Sequence, residues 1–354
     1  MNCQIIDNKT YVAELKKYSK KLHDLNKLHN KTIMITGATG MIGSCIIDIL
    51  MLQNKLNNLN CHIIAIGRNG KKARMRFHSF WNLKNFAFIQ TDVNKEIQYS
   101  GKVNYIIHAA SNTHPLAYAT DPIGTISTNV IGTNNLLKFA SQKNIDKFIF
   151  LSSVEIYGQN NGDVETFAED YSGYIDCNTL RAGYPESKRV GEALCQAYIK
   201  QKGLNIVIPR LARVYVPTLL MTDTKALSQF IKNSLDKEDI VLKSNGNQLF
   251  SYIYSIDAST AILFCLLNGK SGEAYNVSNP LCNTTLKNLA QKLAYISQTK
   301  VKFEIPDKLE ASGYSTATKA LLNPNKLIKL GYQYNSTLSE SLITTLKILN
   351  DVRK

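Results

Sequence analysis

Three side chains near the middle of the chain have the types and spacing needed for acid–base chemistry on an alcohol. Tyr184 and Lys188, in the segment YPESK, are four residues apart and share one face if this segment is helical. A lysine ammonium beside a phenol favours the phenolate and lowers a pKa that is ordinarily about 10. Ser153, preceded by Ser152, ends an apolar run and is placed to hydrogen-bond the reacting oxygen. The pattern predicts a tyrosine general base, and an ordinary surface Tyr–Lys pair is the alternative.

A glycine-rich segment, TGATGMIGS, has the spacing of a dinucleotide-binding turn. It directly follows the apolar run KTIMIT and precedes a helical pattern. Glycine permits a tight turn and a close approach of the backbone to a pyrophosphate, and the helix that follows supplies free N–H groups. We therefore predict a bound dinucleotide, with a purely structural turn as the alternative. The predicted cofactor contacts are Gly37, Thr39, Gly40, Met41, Ile42 and Gly43.

The residues after the second and third apolar runs bear on which dinucleotide is bound. The second run ends in Gly67 and Arg68, where an acid ordinarily binds the adenosine ribose of NAD. An arginine without that acid favours the 2′-phosphate of NADP, so the predicted cofactor is NAD or NADP with a slight preference for NADP. Asp92 and Val93 follow the third run and are predicted to meet the adenine, although Asp92 is equally suited to cap the next helix.

Short apolar runs alternating with longer amphipathic stretches must position these residues. This alternation predicts an α/β fold, a Rossmann-type doubly wound parallel sheet covered by helices on both faces. Ligands of such sheets bind at the carboxyl ends of the strands. The predicted strands are KTIMIT, HIIAIG, FAFIQ, VNYIIHAA, KFIFLSS and NIVIPR, and the later predicted helices lie near 224–236, 257–268, 284–297 and 337–350.

The same patterns divide the chain into parts. Ahead of the first strand, apolar residues from Tyr11 to Leu22 recur at helical spacing and predict a helix packed on the outside of the fold, without chemistry. After about Val214 the alternation becomes irregular, as expected for a smaller lobe over the ligand-binding edge. The predicted parts are a helical leader at 1–30, an NAD(P)-binding Rossmann domain at 31–215 with a return near 250–265, and mainly a substrate-binding lobe at 216–354.

Composition limits the class of protein. The chain of 354 residues carries 42 Lys and Arg against 27 Asp and Glu, which favours an anionic partner, but the lysines are scattered and no nucleic-acid motif is present. The seven cysteines lack C-x-x-C spacing and favour reduced thiols. His108 and His114 have no nearby Cys or acid cluster, so no metal site is predicted. Without a signal-peptide pattern or a membrane-length apolar run, we expect a cytoplasmic protein with no membrane partner.

Five segments carry a resemblance to a known family. TGATGMIG, YIIHAAS, NVIGTNNLL, FIFLSSVEIYG and YPESK occur in the order and spacing of the extended short-chain dehydrogenase/reductases, the NAD-dependent epimerase/dehydratase family. The chain resembles this family over roughly residues 31–345, nearest to nucleotide-sugar 4,6-dehydratases and UDP-glucuronate decarboxylases. The resemblance implies an enzyme that oxidises a nucleotide sugar at C4 to a 4-keto intermediate.

The resemblance also assigns roles to individual residues. Tyr184 is implied to take the sugar hydroxyl proton while hydride passes to the nicotinamide, Lys188 to hold the nicotinamide ribose, and Ser153 to steady the substrate oxygen. With the segment YIIHAAS it further implies cofactor contacts at Ala109, Ala110 and Ser111 and a substrate contact at Asn112.

Glu155 bears on which reaction follows the oxidation. Family members with glutamate two residues before the tyrosine of SSVEIYG are typically 4,6-dehydratases or decarboxylases. Once C4 is a ketone the C5 proton becomes acidic, and a carboxylate beside it can act as base. We predict that Glu155 acts at C5, with a structural role as the alternative. Dehydratases usually place Asp or Ser immediately before this glutamate to protonate the leaving hydroxyl, which Val154 cannot do.

The segment around the tyrosine looks most like UDP-glucuronate decarboxylases, which carry an arginine three residues before it, as Arg181 is here. Those enzymes use a later arginine, near RRKPDI, to hold the carboxylate, where this chain offers only Lys319. We therefore expect an epimerase/dehydratase type of enzyme, with a decarboxylase-like activity or a 4-keto-sugar reductase as the alternatives.

Two departures from the family pattern fall in the expected nucleotide-sugar site. RPxNVYGP appears as RLARVYVP, which puts Arg213 at the asparagine and Val216 at the glycine. The arginine of QxRxFxYVxD is replaced by Phe250. We expect Arg213 to supply the missing charge to the diphosphate from the opposite wall, with a changed substrate or a degenerate site as the alternatives.

The resemblance also implies a homodimer formed through the helix that bears Tyr-x-x-x-Lys, where Val190, Leu194 and Ala197 would suit the contact or else face the sheet.

Two rival functions belong to other classes. A non-catalytic cofactor-binding regulator would have no need of an intact serine, tyrosine and lysine, and a nucleic-acid-binding protein is suggested by charge alone.

Overall fold

The computed structural model describes residues 4–113, 115–215, 217–219, 223–304, 317–334 and 336–353. His114 and Val216, which the sequence singled out, lie outside the described residues. Among the helices described, none combines the length and apolar character that a membrane crossing requires.

A parallel sheet forms the centre of the molecule, and every strand predicted from the sequence is present in it. The described strands are β1 Thr32–Thr36, β2 His62–Gly67, β3 Phe86–Gln90, β4 Tyr105–His108, β5 Lys147–Phe150, β6 Ser152–Ser153, β7 Ile206–Leu211, β8 Arg213–Tyr215, β9 Ile240–Leu242, β10 Leu249–Phe250, β11 Tyr252–Tyr254, β12 Ala274–Val277, β13 Thr284–Thr285, β14 Val301–Phe303 and β15 Lys319–Ala320. The order in the central sheet is β12-β7-β5-β4-β1-β2-β3, with β6 paired to β7. All of these pairings are parallel, which confirms the predicted Rossmann-type fold.

Helices cover both faces of this sheet because its strands are apolar on both sides. The described helices are α1 Lys9–Ser19, α2 Met41–Asn57, α3 Gly70–Arg76, α4 Pro115–Thr120, α5 Pro122–Lys143, α6 Gly183–Lys202, α7 Ala226–Asp236, α8 Ser255–Asn268, α9 Leu286–Ser297, α10 Asn325–Lys329 and α11 Leu338–Arg353. Alternate residues of β1 enter different cores: Ile33 and Ile35 pack with α2 and α8, whereas Met34 packs with α5. Successive side chains of a strand point to opposite faces, so each face is buried under its own helices.

The leader contains the predicted helix, α1, which is anchored by polar contacts in the interior. The Tyr11 hydroxyl donates to Oδ2 of Asp48, in α2, at 2.8 Å, and Arg76 pairs with the same carboxylate. Beyond the helix, Lys21 donates to Oδ1 of Asp257 at 2.8 Å. Asp48 and Asp257 are both fully buried, and burial of a carboxylate is costly, so the leader adds one hydrogen bond to each of two interior acids that also have partners elsewhere in the chain.

The later part of the chain is built from small paired strands and the helices predicted for it. Strands β13, β10 and β15 form one small sheet, β8 pairs with β11, and β9 pairs with β14. Between these pieces the chain returns to the central sheet, since α8 packs against α2 and β12 pairs with β7. The return thus runs from Ser255 to Val277 and directly follows β11, which pairs with β8.

Candidate active site

The glycine turn lies where β1 passes into α2. Gly37 has a φ of 64°, and a Cβ built on it would lie 2.6 Å from the Ala109 carbonyl oxygen. A Cβ on Gly43 would lie 2.5 Å from the Gly37 oxygen. Gly40 occupies the N-cap of α2 and supplies no side-chain cap, so the first N–H groups of the helix keep their donor capacity for an anionic group. These features fit a dinucleotide pyrophosphate.

A buried histidine joins the strands beside this turn. His108 Nδ1 lies 2.8 Å from the Thr36 hydroxyl, and its Nε2 lies 3.1 Å from the hydroxyl of Thr133. Burial and the nearby Lys188 lower the pKa of His108 to about 3, so the ring is neutral. His108 is therefore a structural hydrogen-bonding residue. Within the described part of the chain, no three His, Cys, Asp or Glu side chains are grouped so that they could hold a metal.

A hydrogen-bond chain links the loop after β4 to the helix that bears the tyrosine. The Ser111 hydroxyl donates to Oδ1 of Asn129 at 2.7 Å, and Nδ2 of Asn129 donates to the hydroxyl of Ser187 at 2.9 Å. That hydroxyl donates to the Tyr184 carbonyl at 2.9 Å. Asn112 lies beside this chain and donates to Thr125 at 3.3 Å. The sequence analysis did not predict that Asn129 and Ser187 help to position the helix, although Asn129 lies in the segment NVIGTNNLL and Ser187 in YPESK.

The remaining predicted cofactor residues have local partners. Arg68 is exposed, and its carbonyl accepts a hydrogen bond from Gln90. Asp92 Oδ1 accepts from the backbone N–H of Asn94 at 2.9 Å, so its carboxylate caps a turn. Val93 is buried in the core. The capping role weighed for Asp92 is thus present, and adenine contacts at Asp92 and Val93 stay predictions.

The tyrosine and the lysine lie on one face of α6, as their spacing predicts. Both side chains are buried, with exposures of 6% for Tyr184 and 3% for Lys188. Burial raises the pKa of Tyr184 to about 12, and a hydrogen bond with Ser153 opposes this rise. The Lys188 ammonium donates to the Leu151 carbonyl at 2.8 Å, and burial lowers its pKa to about 8. In the protein alone, burial outweighs the favourable contributions of Ser153 and Arg181 to the pKa of Tyr184, and the predicted effect of Lys188 on this phenol stays a prediction.

Glu155 is flanked by two arginines. Nη2 of Arg181 donates to its Oε2 at 2.7 Å, and Nη2 of Arg213 lies 3.9 Å from its Oε1. Three buried N–H positions, Nε and Nη1 of Arg181 and Nη1 of Arg213, have no hydrogen-bond partner among the described residues. Unsatisfied buried donors are costly, so these atoms mark a place where an anionic ligand would be stabilised.

Aromatic rings line the other side of these arginines. The Arg181 guanidinium carbon lies 4.8 Å from the ring centroid of Tyr118, which stacks on the Tyr184 ring with centroids 4.9 Å apart. Arg213 lies over the Phe250 ring. Lys319, the other cation suggested by the sequence, instead donates to the exposed Glu165 at 2.6 Å. The structure thus brings Ser153, Glu155, Arg181, Tyr184 and Arg213 together.

An uncapped glycine turn, a buried tyrosine and lysine on one helix, and a parallel sheet define an NAD(P)-binding enzyme of the short-chain dehydrogenase/reductase type. Residues 33–278 match the model of the NAD dependent epimerase/dehydratase family, and the chain belongs to this family. Its curated relatives include UDP-glucuronic acid decarboxylase 1 of Xenopus tropicalis, 31% identical over 72% of this chain and 58% of the relative. UDP-glucuronic acid decarboxylase 6 of Arabidopsis thaliana is 32% identical over 71% of this chain and 70% of the relative. The chain thus spans less than two thirds of the length of the Xenopus relative.

Solved structures confirm the fold. The chain is similar to dTDP-glucose 4,6-dehydratase from Streptomyces venezuelae with NAD bound, with a TM-score of 0.75, 21% identity and coverage of 89% of this chain and 96% of that chain. It is also similar to UDP-glucuronic acid 4-epimerase from Bacillus cereus in complex with UDP-glucuronic acid and NAD, with a TM-score of 0.74, 22% identity and coverage of 90% and 98%. Both structures hold NAD, in agreement with the family.

Proposed function

We propose that the protein oxidises C4 of a nucleotide-activated uronic acid with NAD and then releases the C6 carboxyl group as carbon dioxide. The observation that carries the proposal is the pair of arginines around Glu155, with three buried N–H positions that lack described partners. A uronate differs from a neutral hexose by one carboxylate, which is the kind of group that a guanidinium binds best. The relatives named UDP-glucuronic acid decarboxylases support the same substrate class.

In the proposed first step, Tyr184 takes the proton of the C4 hydroxyl while Ser153 hydrogen-bonds the same oxygen. The bound cofactor supplies the acceptor for the hydride that leaves C4. Lys188, held by the Leu151 carbonyl, orients the ribose of that cofactor. Tyr184 and Lys188 are buried, which strengthens their electrostatic contacts.

The second step follows from the ketone at C4. A carboxylate attached to C5 is then a β-keto acid, so the C5–C6 bond breaks, its electron pair passes to the C4 oxygen, and C5 afterwards takes up a proton. Return of the hydride to C4, with the proton held by Tyr184 going back to the C4 oxygen, restores the alcohol, so the net change in the sugar is loss of carbon dioxide. We assign Glu155 to C5 and Arg181 with Arg213 to the carboxylate. Because Nη2 of Arg213 lies 3.9 Å from Oε1 of Glu155, this proposal gives Arg213 to the carboxylate in place of the diphosphate contact expected from the sequence. Val154, which is buried and apolar, offers no acid for a leaving hydroxyl, so dehydration is the less suited outcome.

Mass spectrometry of the nucleotide sugar after incubation with enzyme and NAD tests this function. We expect UDP-glucuronate to lose the mass of carbon dioxide, and we expect Tyr184→Phe to abolish the loss. UDP-glucose and dTDP-glucose serve as matched neutral substrates. Loss of water from either of them, or no conversion of UDP-glucuronate, would overturn the proposal.

Epimerisation at C4 of the same uronate is the second candidate, favoured by the fold shared with the UDP-glucuronic acid 4-epimerase. It needs the same oxidation, followed by return of the hydride to the other face of the ketone. The mass of the nucleotide sugar would then stay constant while its chromatographic position changes, so the same experiment separates the two reactions.

We also propose that the chain divides into a Rossmann domain and a substrate-binding lobe, the lobe mainly from 216–354. We propose NAD as the cofactor and Arg68 as a residue that also lets the site accept the 2′-phosphate of NADP.

We further propose a homodimer formed through α5 and α6, because Val190 and Ile131 are large apolar residues exposed by 44% and 49%.

A further inference from the structure

Three side chains form a continuous stack that ends on the proposed base. The Arg181 guanidinium covers one part of the Tyr118 ring at 4.8 Å, and the Tyr118 ring lies against Tyr184 with an interplanar angle of 31° and centroids 4.9 Å apart. Arg181 comes from the turn Leu180–Ala182 and Tyr118 from α4, so two separate segments meet on Tyr184. Tyr118 is 8% exposed, and the stack is therefore largely shielded from water.

The charged and polar groups that act on the Tyr184 phenol come from the same neighbourhood. Ser153 hydrogen-bonds it, Glu155 disfavours the phenolate, and Arg181 favours it. Lys188 is held elsewhere, with its ammonium on the Leu151 carbonyl and 4.8 Å from the Phe150 ring centroid. In the protein alone, Arg181 is thus the cation that counters Glu155 at the phenol.

We infer that Arg181 and Tyr118 are positioning residues that hold the Tyr184 phenol for proton transfer, Arg181 by pairing with Glu155 and by covering the Tyr118 ring. The inference rests on Tyr184 being the base of the proposed function, but it does not depend on which sugar is oxidised. A guanidinium over an aromatic face and an offset ring pair are both favourable contacts, and they restrict the rotation of Tyr184. The ion pair also places an arginine charge beside the glutamate that would otherwise act on the phenol alone.

An NMR experiment tests the positioning without any turnover. Fluorotyrosine is incorporated, and the Tyr184 resonance is assigned by its loss in Tyr184→Phe. We expect Tyr118→Phe, which keeps the ring, to leave this resonance in place. Tyr118→Leu, which removes the ring, should shift it through loss of the ring current. An unchanged resonance in Tyr118→Leu would overturn the inference, whatever the sugar specificity proves to be.

The pH dependence of cofactor reduction in a single turnover tests the charge, with any nucleotide sugar that reduces the cofactor. Arg181→Met should move the profile to higher pH by about one unit, because the phenol loses a favourable cation. Glu155→Gln should move it to lower pH, because an opposing charge is removed. Arg74→Met, in exposed α3, serves as the control and should leave the profile in place. If Arg181→Met lowers the rate of cofactor reduction at every pH but does not shift the profile along the pH axis, Arg181 has a merely structural role and the inference is rejected.

Discussion

The guanidinium carbon of Arg213 lies 3.4 Å from the centroid of the Phe250 ring. Three short strands produce this contact. Strand β8 pairs with β11, with Arg213 opposite Tyr252, and β10, which ends at Phe250, directly precedes β11. The sequence had marked both positions as departures from the family pattern, and the structure shows that they are neighbours. The aromatic face and Glu155 together fix where the Arg213 charge is presented.

Replacement of Arg213 by alanine should weaken binding of the nucleotide sugar by one to two orders of magnitude, because a charge-assisted contact of about 1.5–3 kcal/mol is lost. Isothermal titration calorimetry with UDP-glucuronate measures this. Lys319→Ala removes a cation of the substrate lobe that is paired with Glu165 and should leave the affinity unchanged. Equal affinities of wild type and Arg213→Ala would remove Arg213 from the binding site.

Replacement of Arg68 by glutamate should lower the affinity for NADP about tenfold or more relative to NAD, because a carboxylate repels the 2′-phosphate and pairs with ribose hydroxyls. Fluorescence titration with both reduced cofactors gives the ratio. Arg74→Glu, also near the second strand, controls for net charge. A ratio that Arg68→Glu does not change would contradict the assignment.

Protonation of His108 should contribute to acid denaturation. Burial lowers its pKa from the ordinary value of 6.5 to about 3, so the unfolded chain binds a proton that the folded chain does not. The stability from this group is full above the unfolded pKa and is lost as the pH falls toward 3, with a slope of up to about 1.4 kcal/mol per pH unit.

Denaturant unfolding at a series of pH values between 7 and 4 measures that slope. His108→Gln retains hydrogen-bonding groups but does not titrate, so its free energy of unfolding should fall less steeply with acid than that of the wild type. Identical slopes in the two proteins would mean that other groups account for the acid sensitivity.

Replacement of Val190 by glutamate should convert the proposed dimer to monomer, because a charge would be buried in an apolar helix contact. Light scattering after size-exclusion chromatography gives the mass directly. Tyr295→Glu, at a residue that is 87% exposed on α9, is the matched control and should keep the wild-type mass. A monomeric wild type, or a dimeric Val190→Glu variant, would reject this interface.

The sheet and the glycine turn could be predicted because each depends on local pattern. A continuous apolar run such as HIIAIG indicates a buried strand without knowledge of the strands beside it. The spacing of the glycines from Gly37 to Gly43 also indicates a tight turn from local sequence alone. The spacing of Tyr184 and Lys188 likewise placed both on one helical face.

The site environment could not be predicted, because it is made by contacts distant in sequence. Nothing local to Tyr118 indicates that its ring meets Tyr184, or that burial would outweigh nearby cations at that phenol. Lys319 is a cation of suitable type, but the structure pairs it with Glu165. The sequence shows the chemical type of each of these residues. The direction in which each side chain points depends on how distant segments pack together, including the small strands of the later lobe.

Tyr11 and Lys21 reach across to Asp48 and Asp257, and this has a practical meaning for anyone who shortens the chain. A version that begins at residue 31, just before the matched family region, would remove one hydrogen-bond partner from each of two interior acids while leaving the catalytic set intact; Asp48 would keep Arg76, and Asp257 would keep Tyr332 and Ser336. Such a fragment should therefore fail by insolubility or early melting, and its inactivity would say nothing about chemistry.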